Sequence, residues 1–232
     1  DIYYAAFRLP DLLYNILSYG LLSATFVPLF ISLLKKEGKE SAFRFTSEVL
    51  TALSFVIAVL SVVLFIFAPF IIPFFVPGFS SEEMKVTVEL TRIMLLTPLF
   101  FTIGSIASGV QNSFKKFLGL SLAPLFYNLG IISGIVFFVK DHGVYGVAIG
   151  VCIGAFLNML VQLPGIFAAG FTFHVPKKLW NSRVKEMILL SVPRIFGMSI
   201  TQLSLTLNTI IASTLLAGSI TVINFATNIQ TI

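Results

Sequence analysis

The chain has 232 residues, 57% of them hydrophobic and only 11% charged, with a formal net charge of +5. Soluble proteins carry about 25% charged residues, so a water-soluble globular domain is excluded. The positive charge would suit nucleic acid, but the basic residues lie mostly in short segments between apolar runs, where membrane topology accounts for them.

After Asp11 there are at least six charge-free stretches, at 12–34, 50–81, 93–114, 117–139, 142–176 and 195–232. A bilayer-crossing helix needs roughly 20 mostly apolar residues, so each can span. Residues 2–34 would reach about 50 Å as one helix at 1.5 Å per residue, too long for the hydrocarbon core. Gly20 or Pro28 is expected to break it. In the second run, Pro69, Pro73 and Pro77 predict an end near Ala68, with 70–79 lying at the outer interface. The third carries Ser105, Ser108 and Gln111-Asn112, and the fourth Tyr127-Asn128 after Pro124, a pattern of close helix packing. Gly143, Gly146, Gly150 and Gly154 in the fifth fit the small-xxx-small rule. The last run exceeds one crossing and is expected to turn at Gly218-Ser219. The prediction is an all-α, polytopic transmembrane bundle of six complete spans and the start of a seventh.

Loop charges orient the bundle. Loops one, three and five hold ten Lys and Arg (Lys35, Lys36, Lys39, Arg44; Lys115, Lys116; Lys177, Lys178, Arg183, Lys185), whereas loops two and four hold three (Lys85, Arg92; Lys140). The positive-inside rule places the odd loops in the cytoplasm and Asp1 at the outer face. Because the chain starts at Asp1 rather than Met, it reads as a fragment, and a cytoplasmic N-terminus of the longer protein implies an odd number of spans upstream.

Arg8, Asp11 and Arg194 fall within spans, where charges are expensive and normally face protein or a wet cavity. Arg8, Asp11, Asn15 and Ser18 share one helical face. They read either as a structural ion pair, Arg8 with Asp11, or as a cavity wall meeting a polar substrate. A second stripe joins Arg194, Met198, Gln202, Thr206, Thr209 and Ser213. Arg194 either lines a cavity or snorkels to the headgroups, and Asn208 lies on another face.

Other chemistry is not indicated. Cys152 is the lone cysteine and reads as packing; His142 and His174 are far apart, so neither metal nor cofactor is implied. No phosphate-binding glycine loop with a Walker lysine and no histidine triad is present. A transporter or flippase fits better than an enzyme.

The segment from Asp1 to Leu13, with Gly20 and Phe26-Val27-Pro28, resembles the second-helix signature of the MviN/MurJ family. Pro77-Gly78-Phe79 resembles its outer-loop motif. Phe117 and Ala123 through Ile132, Gln162-Leu163-Pro164, and Pro193 through Asn208 to Ser213 are similar in the same order. The resemblance implies the MATE-like, 14-helix fold of the multidrug/oligosaccharidyl-lipid/polysaccharide exporters, two lobes around a central cavity. It implies that the chain runs from the second helix to the start of the eighth, with 1–180 in the N-terminal lobe and 181–232 opening the C-terminal lobe. It also implies a multi-pass protein of the bacterial cytoplasmic membrane, moving lipid II outward for cell-wall synthesis, with cell-wall synthesis proteins as possible partners.

The sequence departs from the family pattern in the cavity. The usual basic pair of the second helix is Tyr14-Asn15, an acidic position is Tyr19, and the Asp-Arg pair of the eighth helix is Thr227-Asn228. Arg8 matches a basic family position. The expected cavity set is therefore Arg8, Asp11, Tyr14, Asn15, Ser18, Arg194, Gln202 and Asn228. A related exporter of another polyprenyl-linked glycan or a drug, or a transport-inactive scaffold, remains as an alternative.

Overall fold

The computed structural model describes residues 1–19, 22–176 and 178–230; the side chains of Ser18, Tyr19, Ser23, Ala24 and Gln230 are left out of that description. The described residues are mostly helical, joined by short turns except for the longer non-helical connection between Ala168 and Ser182, with no strand among them. The elements are α1 (Ile2–Leu13), α2 (Val27–Lys36), α3 (Lys39–Phe75), α4 (Ser81–Met94), α5 (Thr97–Ser113), α6 (Leu118–His142), α7 (Val144–Ala168), α8 (Ser182–Ser213) and α9 (Ser219–Gln230). Five stretches among the described residues are long and apolar enough to span: Lys39–Phe75, Ser81–Ser113, Leu118–His142, Val144–Ala168 and Ser182–Ser213.

The overlong first run is divided as expected, but not at Pro28, which opens α2 in the first turn where proline is tolerated. Between α1 and α2 the chain forms π-helical segments at Tyr14–Tyr19 and Leu22–Phe26. Gly20, between them, lies outside the described residues.

The expected end of the second span at Ala68 is corrected. α3 continues through Pro69 and Pro73 to Phe75. Proline lacks an N–H and so strands the carbonyl four residues earlier. For Pro69 that carbonyl is Phe65, and Arg92 Nε donates to it at 3.0 Å from α4. Pro10 in α1 strands Ala6 in the same way, and Thr91 Oγ1 donates to it at 3.1 Å. Two adjacent α4 residues thus replace the hydrogen bonds that two prolines remove from neighbouring helices. Thr91→Val is expected to cost about 1–3 kcal/mol, the penalty of a buried unsatisfied carbonyl, and Arg92→Leu, whose contact lies on the exposed surface of the bundle, to destabilise in the same direction by less. Thermal unfolding of the full-length protein in detergent checks this. Thr87→Val, whose hydroxyl bonds the Glu83 carbonyl of its own helix, shifts the midpoint less.

α6 and α7 form the most intimate pair. A Cβ on Gly130 would lie 2.2 Å from Gly154 Cα, and one on Gly134 2.3 Å from Gly150 Cα. Only glycine permits that backbone approach. Gly146, Gly150 and Gly154 pack as expected; Gly143 does not, because it forms the positive-φ turn between the two helices. Gly150→Ala is expected to lower the unfolding midpoint clearly, while Gly197→Ala, with nothing within 4 Å of its Cβ, does not.

The charge alternation maps onto two ends of the bundle. Loops one and five meet where Arg183 pairs with Glu37 at 2.8 Å. Loop three joins them through Lys116 Nζ, which donates to the Ala168 carbonyl at 2.5 Å. Beneath these contacts lies an aromatic cluster of Phe26, Phe30, Phe43, Phe45, Phe114 and Phe171. At the opposite end, loop two begins α4 with a Ser80–Glu83 capping box. There Tyr145, just past loop four, donates to Glu89.

Candidate functional site at the junction of α1, α8 and α9

α1 presents Arg8 to the last two helices. The guanidinium donates from Nε to Thr209 Oγ1 of α8 at 2.9 Å and from NH2 to Asn224 Oδ1 of α9 at 3.0 Å. Asn224 is held in that orientation because its Nδ2 donates to the Ile220 carbonyl at 2.7 Å. Both acceptors are neutral, and the ion pairs among the described residues are Arg44–Glu40 and Arg183–Glu37. Of the two readings of this face, the direct Arg8–Asp11 ion pair is not formed: Arg8 reaches across to other helices. Asp11 lies one turn on along the same helix and faces the same cavity.

These groups line a cavity of about 280 Å³. Its polar wall is Arg8, Asp11, Asn224, Thr227 and Asn228, and its apolar wall is Tyr4, Phe7 and Leu205. A low-dielectric enclosure strengthens charge-assisted hydrogen bonds. Such a site suits an anionic, oxygen-rich group.

The other expected residues are distributed differently. Tyr14 turns to α5, within 2.8 Å of Ser105 Oγ and with its ring 5.3 Å from that of Phe101. Arg194 is exposed on α8 and does not line the cavity. Gln202 is buried with Thr206, Thr209 and Ser213 on one face of α8, yet it too stays outside the cavity wall. Ser18's side chain lies outside the described residues. Sequence reasoning missed Asn224, an uncharged residue inside an apolar run; the polar triplet it makes with Thr227 and Asn228 at helical spacing was the available signal.

The end of the bundle beside this cavity is tied together. Asp1 carboxylate oxygens accept from the backbone N–H of Gly218 at 2.5 Å and of Thr221 at 2.9 Å, at the start of α9. The α3–α4 loop seats on the end of α8, where Gly78 N–H reaches Ser213 Oγ at 3.4 Å.

A family model described as Lipid II flippase MurJ matches residues 1–232, the whole chain. The chain belongs to the MurJ family. The lipid II flippase MurJ of Burkholderia cenocepacia is 34% identical over 235 residues, covering 97% of this chain and 45% of that protein. The probable lipid II flippase MurJ of Buchnera aphidicola subsp. Acyrthosiphon pisum is 31% identical, covering 97% and 45%. That of Rhizobium tropici is 29% identical, covering 92% and 42%. The chain thus spans less than half the length of these MurJ relatives. A solved structure described as Lipid II flippase MurJ, inward closed conformation, superposes with a TM-score of 0.81 over 100% of this chain and 48% of the other, at 24% identity. The fold is therefore that of MurJ proteins, and the chain is a multi-pass membrane protein.

Proposed function

We propose that the full-length protein moves lipid II from the inner to the outer leaflet of the bacterial cytoplasmic membrane by alternating access. It acts as a transporter rather than an enzyme. The observation that carries this reading is Arg8, fixed by Thr209 and Asn224 in a polar cavity between α1, α8 and α9. A pyrophosphate-linked sugar-peptide must shed water to cross, and protein hydrogen bonds must replace that hydration. Arginine offers a fork of donors matched to phosphate oxygens. In this reading residues 1–180 belong to the N-terminal lobe, 181–232 begin the C-terminal lobe, and loops one, three and five face the cytoplasm. Asp11, Asn15 and Asn228 complete the head-group wall with Arg8. Tyr14 and Gln202 pack the helices around it.

One observation favours a second cargo. Thr227 and Asn228 present neutral amide and hydroxyl groups in the cavity where the family resemblance implies an Asp-Arg pair. A different polyprenyl-linked glycan would suit that surface. Expression of the full-length protein in cells depleted of their own lipid II flippase separates the readings. Rescued growth supports lipid II; failure by an inserted, stable protein supports the other glycan.

A further inference from the structure

The membrane-facing groove between α3 and α4 is lined by Val62 and Phe65 of α3, by Glu89 and Arg92 of α4 and by Leu96 of the α4–α5 turn, with Tyr145 closing one end; its volume is about 640 Å³. We propose that it binds an anionic glycerophospholipid of the surrounding leaflet, with the phosphate on Arg92 and Lys85 and an acyl chain along the apolar wall.

Depth is fixed by Tyr145. It follows the charged turn Lys140-Asp141-His142-Gly143, which must reach water, and its hydroxyl donates to Glu89. Tyrosines at such positions mark the headgroup level. Arg92, one turn from Glu89 on α4, therefore lies where lipid phosphates lie. From there the groove runs inward past Leu96, 56% exposed, and Val62, 59% exposed, so its walls face lipid. A polar end at the headgroups and an apolar trough beneath it match one phospholipid.

The charges agree with an anion. Arg92 is held against α3, its guanidinium 4.9 Å from the Phe65 ring centre and its Nε on the Phe65 carbonyl. Among the described residues its terminal N–H groups have no hydrogen bond or ion pair, so a preorganised fork faces the groove. A second cavity of about 380 Å³ shares Glu89 and Arg92 and adds Lys85, two turns away on the same helix face. Glu89, the acidic residue of the groove, has its carboxylate engaged by Tyr145. Two cations flanking one satisfied carboxylate select a phospholipid of net negative charge over a zwitterionic one.

The test uses full-length protein in detergent, titrated with phosphatidylglycerol or phosphatidylcholine, with retained lipid counted by native mass spectrometry. The wild type is expected to retain phosphatidylglycerol preferentially. Arg92→Gln and Lys85→Gln are each expected to weaken retention by roughly tenfold, the worth of a charge-assisted hydrogen bond. Leu96→Trp fills the trough and weakens it without touching a charge. Should Arg92→Gln fail to fold because Phe65 loses its donor, Lys85→Gln and Leu96→Trp decide. Equal retention of the two lipids, unchanged retention in folded variants, or a dimer of chains occupying the groove without lipid would overturn the proposal.

Discussion

Arg8→Ala in the full-length protein weakens lipid II binding by at least about 30-fold while the protein stays folded. The size follows from truncating one partner of a buried, hydrogen-bonded charge, which costs about 2–5 kcal/mol. Arg8 joins α1 to Thr209 of α8 and Asn224 of α9. Its removal deletes the charge proposed to meet the pyrophosphate and leaves those two side chains without their donor. Arg8→Lys keeps the charge but not the fork, so it recovers only part of the binding. Titration of purified variants with lipid II, beside their unfolding midpoints, checks both expectations. Binding unchanged in Arg8→Ala would remove Arg8 from the head-group site.

Gly78→Ala is expected to hold the bundle open at the end beside the cavity. A Cβ there would lie 1.9 Å from the Ser213 carbonyl oxygen and 2.8 Å from Thr214 Cα, both backbone atoms that no rotamer change can move aside. The α3–α4 loop must lift from the end of α8, at an overpacking cost of about 1–3 kcal/mol. That cost falls only on the state in which the loop and α8 touch, so the population shifts toward the separated state. The check places a single cysteine at Leu205 in an otherwise cysteine-free full-length protein and adds a membrane-impermeant maleimide from outside. Labelling rises several-fold and transport falls in Gly78→Ala. Labelling and transport both equal to wild type would show that the contact is not part of a gate.

Most of the spans, their order and the two ends of the bundle were legible in the sequence because each follows from local composition; of the six complete spans expected, the run at 12–34 is not among the five long apolar stretches of the described residues. Apolar length sets a span, and loop lysines and arginines sort its ends, as the Arg183–Glu37 and Lys116–Ala168 contacts bear out. Pro69 misled because its cost depends on a partner elsewhere: Arg92, 27 residues beyond the stranded Phe65 carbonyl, supplies the donor that the helix lacks. The stripe through Asp11, Asn15 and Ser18 assumed a regular α-helical turn. The π-helical segment Tyr14–Tyr19 widens that turn by i→i+5 bonding, a departure from α-helical geometry that side-chain spacing alone does not reveal. Arg8 was legible because a charge in a span demands an explanation, whereas its acceptors Thr209 and Asn224 are 201 and 216 residues away and carry no charge to mark them.

The most direct measurement is the amount of lipid II accessible at the outer leaflet of cells depleted of their own flippase and expressing the full-length protein, with and without Arg8→Ala. Exposure restored by the wild type and lost with Arg8→Ala, at equal protein levels in the membrane, is the predicted result. Exposure restored equally by both, or by neither, would contradict an Arg8-centred passage for the lipid II head.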